Sequence, residues 1–236
     1  MDDTIFKSGT LELTAPASPV EPVQAMDWLS LPGNRIMIAV ATILTLAALK
    51  DYLLILPYIL RCLTRPREHV HIQHNMSLVY IRNYVSLTLT LPFLLILDRY
   101  FIYVPSFAGF VPAGWSVAVP LVGIGAYLLL RRLMYAVFKP RRFTSELEEA
   151  YHFAMYNIFI ALVSLMLLTL AALLPAGLPD MTVRTVLIAE IGVAFVLSLG
   201  HTMQILSLHC SALGTFLYLC ALELIPAGLL LYSALR

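Results

Sequence analysis

Glu190, His201 and Glu223 stand within apolar runs about long enough to cross a lipid bilayer. An ionisable group in that setting is costly enough to be read first as functional: it could relay a proton, neutralise a cation or pair with a charge on another helix. Glu190 and Glu223 each fall within about two turns of the middle of their runs, so the two carboxylates could meet across consecutive helices. Glu190 and His201 are eleven residues apart. At about 100° per residue, they lie about 20° apart around a helix and about 16 Å apart along it. Gln204 shares that face, and Asn157 adds an amide to the preceding run. A proton or ion path requires such a stripe. The bland reading weighs more: these groups hydrogen-bond between helices and fix the packing, each worth about 0.6 kcal/mol on average.

Other reactive residue types give weaker patterns. His69, His71 and His74 form HVHIQH, whose first two imidazoles share a strand face but diverge by about 200° on a helix. Set among Arg65, Arg67 and Glu68, they read as an interfacial loop and not as a metal site. His152 and His201 could hold a haem only on facing surfaces, and nothing in their spacing requires that. Ser198 and Ser207 flank His201 without an activating third group, so no catalytic residue is assigned. Cys62, Cys210 and Cys220 have neither zinc-ligand spacing nor an even count, and read as reduced thiols. No pattern calls for a metal or other cofactor. Arg131, Arg132, Arg141 and Arg142 could bind a lipid phosphate, although ordinary anchoring at the membrane boundary is the stronger reading of them.

The elements that position these residues are transmembrane helices. Hydrophobic residues make up 60% of the chain and charged residues 12%, against about a quarter charged in a soluble domain. The net charge of +1 points to no partner, and the composition argues against nucleic acid. Residues 1–32 are acidic and polar, with Pro16, Pro19 and Pro22 at three-residue intervals, and read as a flexible tail. No signal-peptide pattern precedes the first apolar run.

That run begins near Ile36 and meets Lys50 and Asp51. Mid-membrane, each charge would cost about 2.5 to 3.5 kcal/mol. The expectation is therefore a span ending at Lys50, with an interfacial helix over residues 52–60. Further spans are expected over 77–97, 115–138, 151–174, 181–203 and 212–235. Arg82 and Asn83 lie about one and a half turns into the second, where an arginine can snorkel outward. Pro120, Gly123 and Gly125 permit a kink and close helix approach in the third, which is expected to end on Arg131 and Arg132. Ser145 and Glu148 have capping-box spacing, and Asp180 suits a helix cap.

The expected fold is thus all-α, a bundle of six transmembrane helices over residues 33–236. The links between spans one and two and between three and four, with their flanks, hold ten of the fifteen basic residues. Basic residues are retained in the cytoplasm, so both termini are expected outside it.

The last span reads LYLCALELIP over residues 217–226. It resembles the carboxy-terminal helix of a bacterial integral membrane family of Bacteroidota, catalogued as domain of unknown function 4271. Weaker likeness covers residues 61–97 and the surroundings of Tyr156 and Asn157. The resemblance implies an inner-membrane location and brings no activity or site residue with it. The functional expectation is a non-enzymatic subunit or assembly factor of a membrane complex, with the bilayer and membrane proteins as partners. The alternative is a small proton-coupled transporter using Glu190, Glu223 and His201. An intramembrane lipid-processing enzyme comes third, and would need a polar cavity open to lipid.

Overall fold

The computed structural model describes residues 25–64, 75–105, 111, 115–138, 145–207 and 212–235. Among them the chain is all-helical. The helices are α1 (Ala25–Ser30), α2 (Pro32–Ala47), α3 (Leu49–Thr64), α4 (Met76–Arg99), α5 (Ala118–Phe138), α6 (Ser145–Leu173), α7 (Asp180–Ser207), α8 (Ala212–Leu219) and α9 (Ile225–Leu235). A π-helical turn, Cys220–Leu224, joins α8 to α9.

Four of these helices are long and apolar enough to cross a membrane, and α2 with α3 forms a fifth candidate bent by 68°. The last crossing expected from the sequence appears as α8, the π turn and α9 in succession, so none of its pieces reaches spanning length alone. The bend between α2 and α3 falls at Ala48, two residues before the expected boundary at Lys50. Lys50 is exposed and Asp51 half-buried. The expected interfacial helix is instead part of the bundle. Ile55, Ile59 and Cys62 follow at intervals of four and three, which puts all three on one helical stripe, and each is completely buried.

Helix α4 is the centre, packing against α2, α3, α5 and α6. Half of its membrane-length window is buried, against 11% for α7, which lies at the periphery. The main core joins Ile55 and Ile59 of α3 to Val85 and Leu89 of α4 and to Ile160 and Val163 of α6. Phe93 and Phe159 meet edge to face, with ring centroids 5.2 Å apart. Further along, Ile96 and Tyr100 pack with Met166 of α6 and with Val183 and Leu187 of α7. Gly177 turns the chain between α6 and α7 at φ 65°, a left-handed conformation that favours glycine.

The second half of the expected tail is not all tail. Ala25–Ser30 is helical, and Trp28 is buried against the end of α4. Residues 1–24 lie outside the described residues, as do His69, His71, His74, Arg141, Arg142 and Cys210. Helix α6 begins at Ser145, and the side chains of residues 145–153, on which the capping-box reading and His152 depend, lie outside what is described.

Candidate functional site

One deeply buried charge cluster centres on Glu223, which is 2% exposed. Its helix cannot continue in ordinary α register through Pro226: proline has no N–H to offer the carbonyl of residue 222 and its ring crowds that turn. The chain widens into a π turn, in which the Ile225 N–H reaches the Cys220 carbonyl. π turns of this kind recur at functional positions, and this one carries Glu223 towards α5. There Arg131 Nη2 donates to Glu223 Oε1 at 2.5 Å. Arg131 Nη1 contacts the Met155 sulfur on α6. Tyr127, one turn before Arg131, lies within the field of both charges.

This arrangement corrects two expectations. Arg131 does not stand exposed at the end of its helix. It lies about two turns inside the carboxy-terminal end of α5 and is 8% exposed, while Arg132, rotated by about 100°, is exposed. Glu190 and Glu223 do not share a site. Glu190, half-buried on α7, accepts a hydrogen bond from Thr169 of α6 through Oε1, whereas Glu223 faces Arg131.

His201, on the buried side of α7, is hydrogen-bonded to the backbone of Leu63 at the end of α3. Gln204 is exposed and Asn157 is buried. The stripe read from the sequence therefore resolves into separate contacts with different helices.

Arg82 departs most from expectation. Instead of snorkelling it is completely buried. Its Nε and Nη2 donate to Asn83 Oδ1 at 3.3 and 3.2 Å, and its guanidinium lies 5.9 Å from the centre of the Tyr156 ring. Buried Cys62 is a close neighbour. Its sequence signal was an arginine one and a half turns inside a span, at a depth equally suited to snorkelling.

A further cluster, absent from the expectations above, lies at the far end of α4. Asp98 Oδ2 accepts from the Trp28 indole at 2.6 Å and from Ser116 Oγ at 2.9 Å. Asn34 Nδ2 donates to the Trp28 carbonyl at 3.0 Å. The Arg99 guanidinium lies 5.8 Å from the ring centres of Trp28 and Tyr100 and makes a 3.9 Å ion pair with Asp180. Burial pushes the Tyr100 phenol above its ordinary range, partly offset by Arg99. The available signal was an aspartate directly after the apolar string LPFLLIL.

Among the described residues, no group of three or more His, Cys, Asp or Glu side chains could hold a metal ion. Comparison with protein-family models, curated proteins and solved structures gives no match.

Proposed function

We propose that this chain is a non-enzymatic subunit or assembly factor of a membrane complex, located in a bacterial inner membrane. The observation that carries this reading is the separate engagement of Glu190, His201 and Glu223, the three ionisable groups that the transporter reading would need. Arg131 holds Glu223, Thr169 holds Glu190, and the Leu63 backbone holds His201, each tying a different pair of elements. A proton-coupled transporter would gain from one connected route, and these ties serve packing instead. A lipid-processing enzyme would need a polar cavity, whereas the cavity beside α7 is lined almost wholly by apolar side chains. The proposed topology counts α2–α3 as one broken crossing and α8–π–α9 as another, giving six spans with both termini outside the cytoplasm.

Purification of the tagged protein in mild detergent tests the proposal. Membrane proteins should co-purify in fixed ratio, and the protein reconstituted alone should leave a pH gradient across liposomes intact. A monodisperse protein that dissipates the gradient, and loses that ability in a folded Glu190→Gln variant, would overturn it in favour of transport.

A further inference from the structure

Between α2, α3, α4, α6 and α7 lies a cavity of about 690 Å³, within the range of small-molecule sites. Its walls include Leu56 and Leu60 of α3, Leu89 of α4, Leu165 of α6, and Val193 and Leu197 of α7. Leu60, Leu165, Val193 and Leu197 are also exposed on the outer surface, so the cavity opens sideways out of the bundle. Thr45, Thr88 and Ser164 line it, but each donates its hydroxyl hydrogen to the carbonyl four residues back on its own helix.

Glu190 is different. It lines the cavity, Thr169 occupies Oε1, and Oε2 is buried without a hydrogen-bond partner. A buried polar atom left unsatisfied is unusual enough to need an explanation. The terminal torsion of glutamate is soft, so a small rotation turns Oε2 into the cavity.

The depth of Glu190 narrows the ligand. It lies ten residues into α7, about 15 Å along the helix and so near the centre of a bilayer core about 30 Å thick. A phospholipid headgroup or an ammonium would pay a heavy desolvation cost there. A hydroxyl is neutral, and can donate to or accept from a carboxyl group. We propose that this cavity binds a neutral lipid with an apolar body and a hydroxyl head, the hydroxyl meeting Glu190 and the body lying along Leu56, Leu60 and Leu197.

The test uses the full chain in phosphatidylcholine liposomes with a diazirine-bearing hexadecanol. Photolabelling should map to α3 and α7, and unlabelled hexadecanol should compete about tenfold better than hexadecane, the equivalent of one hydrogen bond. Glu190→Gln, whose amide also donates and accepts, should keep labelling within about threefold. Glu190→Leu should lose about tenfold, and Leu197→Trp should block labelling by filling the cavity while leaving Glu190 in place. Should Glu190→Leu fail to fold, the alcohol-against-alkane competition in the unaltered protein still decides. Equal competition by hexadecane, which is the behaviour of a groove filled by any acyl chain, would overturn the proposal. So would crosslinking of a Leu197→Cys variant to a partner helix seated in the cavity.

Discussion

Arg131 and Glu223 illustrate how a buried ion pair differs from the sum of its members. Both were visible in the sequence as charges in apolar surroundings, and Glu223 was singled out for that reason. Their pairing was not legible. Arg131 precedes Arg132 near the end of a run, and two adjacent arginines read as a boundary, yet about 100° of helix rotation separates the buried one from the exposed one. Removing either partner takes this ion pair from a charge that stays buried, so Arg131→Leu or Glu223→Leu should each cost about 3 to 5 kcal/mol of stability. The double variant should recover most of that loss, because two apolar side chains replace the pair without an orphan. Thermal unfolding in detergent, arranged as a double-mutant cycle, measures the coupling. Additive losses would show that the pair contributes nothing beyond its separate packing.

At the scale of elements, the long spans α4, α6 and α7 follow directly from hydropathy, and the breaks do not. The bend at Ala48 has neither proline nor glycine beside it, and Lys50 and Asp51 drew attention to the wrong position. The apolar stripe of Ile55, Ile59 and Cys62 that seats α3 in the core begins only one turn beyond those charges. Pro226 was visible in the sequence, but the π turn before it was not, since a proline can also simply kink a helix. Restoring the missing N–H with Pro226→Ala should let α register return and swing Glu223 away from Arg131. The expected loss is about 1 to 3 kcal/mol in the unaltered background. In a Arg131→Leu, Glu223→Leu background the same change should be nearly neutral. An equal loss in both backgrounds would mean that the turn serves some purpose other than aiming Glu223.

For the whole molecule, composition fixes the class because a chain with this proportion of apolar residues cannot present a water-soluble surface. It says much less about which helix neighbours which. Lipid tails are as apolar as leucine, so side chains facing lipid and side chains facing other helices look alike in sequence. That is why the central place of α4 and the peripheral place of α7 emerge only from packing. The proposed orientation can be checked with cysteines introduced at Ser18 and at Lys139, both outside the described residues, in a background without native cysteines. A membrane-impermeant thiol reagent applied to intact cells should label position 18 and spare position 139. The reverse pattern would invert the topology.

The docking of Trp28 against Asp98 also gives the chain an optical signature. Of its two tryptophans, Trp28 is 7% exposed and hydrogen-bonded through its indole nitrogen, whereas Trp115 is 72% exposed. Collisional quenchers reach a buried indole less readily than one in contact with solvent or headgroups. The emission of the folded protein therefore contains a shielded component and an accessible one. Release of α1 from the end of α4 would convert the first into the second while the rest of the bundle stayed in place.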